Sequence, residues 1–351
     1  MAGPDLRGAL SALAAAALFG AGAPVAKLLV PSAGAVTLAG LLYLGAGLAL
    51  LAMRVALPAD ASHEAPLTAR DAPLVFIIVV AGGMVAPWLL MVGLRRLPGT
   101  TASLLLNLEA PLTIALATTL FAEHLGGRAV VGAAAIMTGA VVVTARGGAT
   151  LADWLGCAAI AAACAAWALD TNVSQRLSVR DPIAVVRMKG LAAGAAMLVI
   201  ARLGGEAAPA ATVAAAALLV GAVAYGLSLV LTMRALRLLG SARQAAYFAT
   251  APFIGAALSI PILGERLDAA TAVAATTMAL GVTLLLGERH VHLHAHAAFE
   301  HEHVHVHDEH HRHEHAGPWS EPHSHVHQHA PLVHDHPHVS DLHHRHRHRP
   351  P

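Results

Sequence analysis

Charge is what this chain has least of. Only 12% of its 351 residues are Asp, Glu, Lys or Arg, against 56% hydrophobic residues and a mean hydropathy of +0.62. A soluble globular domain does not reach these values, so the chain belongs in a membrane. Its 22 basic and 21 acidic side chains leave a formal net charge of +1, which gives no basic face for a nucleic-acid partner. Cysteine is nearly absent: Cys157 and Cys164 stand two turns apart on a predicted helix, about 10 Å along its axis, too far to bridge, and read as small packing residues. There is no Walker-type glycine loop with Lys-Ser/Thr and no hydrolase, kinase or redox motif, and the short loops leave little room for a catalytic domain. The chain is therefore expected to be no enzyme and to require no cofactor.

What is present is a succession of apolar stretches of about 20 residues, each long enough to cross a hydrocarbon core as a helix. They fall near 8–30, 34–53, 73–94, 100–121, 127–145, 153–174, 182–201, 211–233, 241–263 and 268–287. The first begins like a signal peptide, "MAGPDLRGALSALAAAALFG", but its apolar run continues to Val30, and it is expected to stay as a membrane helix. With the N-terminus in the cytoplasm, the inside segments carry Arg7, Arg54, Arg70, Arg128, Arg176, Arg180, Arg234, Arg237, Arg243 and Arg289. The outside segments carry Lys27, Arg95, Arg96, Arg146, Arg202 and Arg266. This bias places both termini in the cytoplasm, although the Arg95–Arg96 pair runs against it.

The halves repeat. "GLRRLPG" at 93–99 returns as "ALRLLGS" at 235–241, and "FAEHL" at 121–125 as "LGERL" at 263–267, both at one common offset. Pro111 answers to Pro252 with a slip of a single position, and Phe19 through Lys27 resembles Trp167 through Gln175. Five spans per half is an odd number, so the halves are expected to cross in opposite senses, as inverted repeats do. The predicted fold is an all-α membrane protein of ten helices in two inverted five-helix repeats, 1–146 and 147–288, followed by a histidine-rich tail, 289–351.

Ten helices in two five-helix halves, with "ALR.L" ending the third and eighth spans, a proline in the next span and "E[HR]L" closing it, resemble the drug/metabolite transporter superfamily and its EamA-type permeases. The resemblance covers residues 5–287. It implies a basket of helices with the fifth and tenth at the periphery and the others around a central cavity worked by alternating access. The second span, "LAGLLYLGAGLAL", lacks the arginine that many relatives carry there.

An ionisable side chain at the centre of a membrane helix costs about 2.5–3.5 kcal/mol on insertion scales, so each needs a physical reason. Glu109, in "LLLNLEAPLTIAL", and Lys189, in "VVRMKGLAAG", fall at comparable depth in the fourth and seventh predicted spans. They are expected to pair, either as a structural bridge or as a cavity-lining pair that handles substrate or protons. Asp170 precedes Arg176 in "AAWALDTNVSQRL", and reads either as that arginine's partner or as a cation or proton site. Asn172 and Asn107 lie close in sequence to Asp170 and Glu109; Gln244 and Tyr247 share a helix face at i,i+3. Lys27 ends the first span beside Pro24, where it either snorkels to the interface or marks a bend that bares carbonyls to a cavity. Glu123 and Glu265 read as interfacial residues that fix helix depth; His63 and His124 take no ligand role.

All other histidines follow residue 289. His290, His292, His294, His296, His301, His303, His305, His307, His323, His325, His327 and His329 form HxH repeats, and neutral imidazole suits Zn, Ni, Co and Cu. Alternate residues share a face of an extended chain, so such repeats chelate without a fixed fold. Pro318, Pro322, Pro331 and Pro337 and the scarcity of apolar residues predict a disordered tail, high in metal capacity and poor in selectivity. Incidental low-complexity drift and a pH-responsive segment are the other readings.

The expected function is secondary transport, as an exporter of the inner (plasma) membrane. Its cargo would be a divalent transition metal gathered by the tail, with Glu109 and Asp170 as cation or proton sites and Lys189 competing for Glu109. An amino acid or small metabolite bound by Lys27, Asn107, Gln244 and Tyr247 is the alternative cargo, and a membrane-anchored metal store or sensor the alternative role. The expected partners are the bilayer, the small-molecule or metal-ion substrate and a second copy of the chain as a homodimer. A reporter active only outside the cytoplasm, fused after Arg289, is expected to stay silent; strong activity there would reverse the orientation.

Overall fold

The computed structural model describes residues 4–56, 64–121, 126–145, 150–286, 290–296, 299–305, 323–329 and 332–338. The half boundary at 146, the tail boundary at 288–289, and His63, Glu123, His124, Arg146 and His307 lie outside the described residues. Among the described residues, ten helices are long and apolar enough to cross a membrane by length and composition. These spans, first to tenth, are Leu6–Ser32, Ala35–Ala56, Ala69–Arg96, Gly99–Thr119, Gly127–Thr144, Leu151–Leu177, Pro182–Leu203, Ala211–Ser241, Arg243–Leu263 and Ala269–Leu286. Each falls on a predicted stretch. Helix is the form that satisfies backbone N–H and C=O groups without water. The exposed large residues are apolar on spans all round the bundle, as at Leu10, Phe76, Val141, Leu219 and Leu280, which suits contact with lipid tails.

Small residues set how closely the helices approach. A Cβ on Gly190 of the seventh span would stand 2.7 Å from the Gly47 nitrogen and 2.8 Å from the Tyr43 carbonyl oxygen of the second, so the two backbones meet without side chains between them. The fifth and tenth spans pack on each other in a reciprocal way. A Cβ on Gly139 would lie 2.9 Å from the Ala274 oxygen and 2.5 Å from Met278 Cγ, and one on Gly281 would lie 2.6 Å from the Gly132 oxygen and 2.9 Å from Ile136 Cγ1. Gly139 and Gly281, Gly132 and Ala274, and Ile136 and Met278 are each separated by the same offset as the sequence repeats. Residues at equivalent repeat positions thus make equivalent contacts in this pair.

Four spans are broken, at matching places in the two halves. The third unwinds to a π-helix over Val79–Val85 and the eighth over Gly221–Leu227, again at the repeat offset. In the fourth span a 3₁₀ turn, Leu106–Leu108, precedes the helix Glu109–Phe121. In the ninth a turn at 249–250 precedes Ala251–Leu263. Pro111 and Pro252 account for the latter pair, because a proline ring removes one N–H and clashes with the carbonyl four residues earlier, at Asn107 and Phe248. Pro24 does not interrupt its span: the helix runs from Pro4 to Leu29. Between the eighth and ninth spans the turn rests on Gly240, whose φ of 74° favours a residue without Cβ.

The tail departs from expectation. Instead of lacking regular structure throughout, it forms β1 (His290–His296), β2 (Phe299–His305), β3 (His323–His329) and β4 (Leu332–His338). β1 pairs with β4 and β2 with β3, both antiparallel. The alternation that served as a chelation argument is also the period of a strand, and it outweighed the compositional argument for disorder.

Adding one methyl at Gly281 is expected to push the tenth span off the fifth and to lower stability by about 1–3 kcal/mol. Gly127→Ala, where nothing lies within 4 Å of the new Cβ, is expected to be neutral or slightly stabilising. Unfolding of both variants in detergent micelles checks the contrast.

Candidate functional site

The broken helices surround a cavity at the centre of the bundle. Its wall includes Phe19 of the first span, Tyr43 of the second, Ile78 of the third, Glu109 of the fourth, Trp167, Asp170, Thr171 and Ser174 of the sixth, Val185, Val186 and Lys189 of the seventh, Thr232, Met233 and Leu236 of the eighth, and Gln244 and Phe248 of the ninth. Ser174, Val185, Leu236 and Gln244 stand within about two turns of the span ends that share a face with the N-terminus. The cavity therefore occupies the half of the bundle toward that face. The other half is filled by Leu90, Met91, Leu94, Leu104, Leu105 and Ile160, each at most 1% exposed.

The buried ion pair differs from the expected one. Lys189 Nζ donates to Asp170 Oδ2 at 2.6 Å, with the two side chains 4% and 7% exposed, and Glu109 and Arg176 are not its members. Gly82 explains the choice. A Cβ there would collide with the Asp170 carboxyl, and one on the adjacent Gly83 would lie 3.5 Å from Lys189 Cγ. The bare backbone of the third span thus leaves a slot in which sixth and seventh spans bring their charges together. Glu109, half-buried on the cavity wall, is left with the Thr171 hydroxyl, which donates to Oε1 at 3.4 Å. It opens the helical segment after the fourth-span break, where discontinuous membrane helices commonly place binding groups.

Of the remaining candidates only Gln244 reaches this cavity. Asn107 is wholly buried and donates to the Leu104 carbonyl at 3.1 Å and to Met278 Sδ at 3.8 Å. Asn172, also wholly buried, donates to Thr113 O at 3.0 Å and Ala168 O at 2.8 Å. Both tie helices together. Tyr247 packs with Ala12, Ala235 and Leu239 away from the cavity. Lys27 Nζ donates to the Leu94 and Leu97 carbonyls at 2.8 and 2.6 Å, closing the C-terminal end of the third span, whose last carbonyls have no helical partner.

The "LR" motif, which carried no role in the sequence, is a clamp on each face. Arg237 donates from Nε to Ser178 O at 2.5 Å, from Nη2 to Arg180 O at 2.8 Å and from Nη1 to Glu64 Oε2 at 2.9 Å. Its counterpart Arg95 donates to the Ala33 carbonyl, and to Val30 O at 3.3 Å, at the opposite face. Each arginine thus holds the turn between the first two spans of its own half, Arg95 after the first span and Arg237 after the sixth. Glu206, the repeat equivalent of Glu64, accepts from the Thr37 amide at 2.8 Å, the Thr37 hydroxyl at 2.7 Å and the Val36 amide at 3.2 Å. Burial raises the Glu206 carboxyl pKa, but these donors, with Arg95 nearby, outweigh burial and hold it below the usual carboxylate range. On the same far face, Glu265 accepts from the amides of Gly99 and Thr100 at 2.5 and 2.8 Å, capping the fourth span.

Sequence reasoning passed over the aromatic wall. The Tyr43 hydroxyl and Trp167 Nε1 both donate to the Gly82 carbonyl, at 2.5 and 3.2 Å; Gly82 lies within the π-helical segment, where the regular i−4 ladder is interrupted. Phe19 meets Trp167 edge-on at 5.5 Å between centroids and Phe248 at 5.3 Å. The repeat match of Phe19 with Trp167 was the available signal: equivalent residues of a two-fold pair can meet at its axis.

The model of the EamA-like transporter family matches residues 6–145 and again residues 154–287. An uncharacterized transporter of Methanothermobacter thermautotrophicus is 28% identical over 305 residues, which cover 80% of this chain and 86% of that relative. A solved crystal structure with 19% sequence identity superposes with a TM-score of 0.62, covering 79% of this chain and 95% of the other; the two share a fold.

Replacing Lys189 by Met strands the buried Asp170 carboxylate and is expected to destabilise the protein by about 3–5 kcal/mol, with part of the loss recovered on adding Asp170→Asn. Glu109→Gln, which breaks no ion pair, is expected to leave stability nearly unchanged. Unfolding of the single and double variants in micelles measures the coupling.

Proposed function

The chain belongs to the EamA-like transporter family, and on that premise we propose that it is a secondary transporter that exports a small organic solute by alternating access. The observation that carries this reading is the cavity, whose wall reaches toward the N-terminal face, between span ends that are clamped at both faces, by Lys27, Arg95, Glu206 and Glu265 at the far one and by Arg237 at the near one. With both termini in the cytoplasm, as the Lys/Arg distribution favours, the cavity lies toward the side from which an exporter loads. Reciprocal packing of the fifth and tenth spans and the matched breaks support an inverted-repeat exchange between inward and outward forms. In that exchange the broken third, fourth, eighth and ninth spans are the elements that bend.

An organic cargo fits this cavity better than a bare metal ion. Lys189 neutralises Asp170, aromatic rings line the wall, and among the described residues no three His, Cys, Asp or Glu side chains gather as a metal would need. The second reading, a divalent transition metal gathered by the tail, is favoured by one observation. The register sets His290, His292 and His294 opposite His338, His336 and His334, and His301, His303 and His305 opposite His327, His325 and His323. The tail then acts as an accessory metal reservoir.

The two readings separate in vesicles that contain the full chain or a chain ending at Glu288. The organic reading expects solute flux at saturation to survive truncation nearly unchanged, with no dependence on Ni, Co, Zn or Cu. Metal flux that weakens on truncation at low metal, where a tethered reservoir matters most, without flux of any organic solute, would favour the second.

A further inference from the structure

Away from the cavity, the second and seventh spans bring two arginines onto one seam. The spans pack antiparallel through small residues. A Cβ on Gly40 would lie 3.2 Å from Leu198 Cδ2, one on Gly194 would lie 2.5 Å from the Leu44 nitrogen, and one on Gly47 would lie 2.5 Å from the Leu191 nitrogen. Each step along one helix is matched by an equal step back along the other. Continued toward the N-terminal face, this register sets Leu51 against Arg187 and Arg54 against Ala184. Arg187 stands three residues before Gly190 and Arg54 seven after Gly47, spacings that keep each on the side of its helix that meets the other. The two are about 4.5 Å apart along the axis.

The eighth span adds a third arginine. A Cβ on Gly226 would lie 3.2 Å from Ala46 Cα, and Val230 and Met233 cluster with Leu50. The second and eighth spans run in the same direction, so an equal advance from Ala46 and Gly226 brings Arg54 level with Arg234. Arg54 and Arg187 are half-buried and Arg234 is exposed. Among the described residues, no hydrogen bond or ion pair reaches any of the three. The carboxylates of this face are engaged elsewhere: Glu64 with Arg237 at 2.9 Å, Asp71 with Arg180 at 3.1 Å, and Asp181 with the Ile183 amide at 2.8 Å. Like charges gathered at one seam repel, and an anion between them reverses the sign of the interaction.

We infer that this seam binds the phosphate of an anionic phospholipid in the leaflet at the N-terminal face, held by Arg54 and Arg187 with Arg234 beside them. Guanidinium groups present paired N–H donors that match phosphate oxygens, and basic pockets between membrane helices are where such head groups bind. The occupant is a lipid because apolar surface continues from the arginines into the hydrocarbon: Leu48, Leu51 and Met188 are exposed on the same two spans, where acyl chains lie against them. Val185, Val186 and Lys189 face the cavity, so Arg187 turns away from it and the lipid site is separate from the path of a solute.

The test is native mass spectrometry of the full chain in a neutral detergent, titrated with dioleoyl phosphatidylglycerol, with dioleoyl phosphatidylcholine and with inorganic phosphate. Phosphatidylglycerol is expected to bind about tenfold or more tightly than phosphatidylcholine, and millimolar inorganic phosphate neither to bind nor to displace it. An arginine near the membrane surface is worth about fivefold in affinity for an anionic lipid. The double variant Arg54→Gln/Arg187→Gln is therefore expected to weaken phosphatidylglycerol by about twentyfold. Arg202→Gln, exposed at the other end of the seventh span, is expected to leave it unchanged. Equal affinity for the two lipids overturns the inference, as does a folded double variant that binds phosphatidylglycerol as before, or an equal loss in Arg202→Gln. Displacement of the lipid by inorganic phosphate would make the seam a site for free anions and overturn the lipid assignment. If the double variant does not fold, Arg234→Gln, an exposed position, decides: about fivefold weaker binding supports the site and unchanged binding sinks it. Each readout is a binding measurement, so the result stands apart from that of the transport assay.

Discussion

Hydrocarbon offers no hydrogen bonds, and the rest of this structure follows from that absence. Backbone groups are satisfied by winding ten apolar stretches into helices, and every irregularity then calls for a partner from within the protein. The freed carbonyls at the end of the third span go to Lys27, the first amides of the fourth to Glu265, those of the second to Glu206. The turns after the first and sixth spans go to Arg95 and Arg237. Most of the polar side chains that the sequence marks as anomalous in a membrane are answers to this demand. Few are free to handle a solute.

The same constraint explains why the cavity lies where it does. Lipid gives no hydrophobic drive for helix association, so the helices are held by close backbone packing at Gly47, Gly132, Gly139, Gly190 and Gly281. Close packing leaves no room for a site unless some helices are made irregular. Pro111 and Pro252 do this in the fourth and ninth spans, and the π-helical segments in the third and eighth. Around these breaks the wall acquires its polar groups, with Gly82 giving up side-chain volume so that Asp170 and Lys189 can meet.

The two halves use equivalent residues for unequal ends. Arg95 and Arg237 clamp equivalent turns on opposite faces, and Glu64 and Glu206 approach them from equivalent connections. Yet the ion pair, Asp170 with Lys189, belongs to the second half alone, and Glu109 to the first. The clamps recur in both halves while the charges of the cavity wall do not.

By itself the sequence determined that this chain lies in a membrane, that it carries ten spans, that its halves repeat at a fixed offset and that it belongs with transporters. Each of these depends on patterns summed over many residues, which survive uncertainty about any one of them. It also marked Glu109, Asp170, Lys189 and Gln244, because a polar group in hydrocarbon is conspicuous wherever it faces. Only the tertiary structure decided which charge meets which. Equal depth suggested Glu109 for Lys189, but pairing depends on which helices are neighbours and on where a glycine opens a slot. For the same reason Asn107, Asn172 and Lys27 turned out to bond the frame, while Tyr43 and Trp167, ordinary in composition, became the wall. Direction around a helix is fixed by packing against a partner helix, and no single stretch of sequence contains the partner.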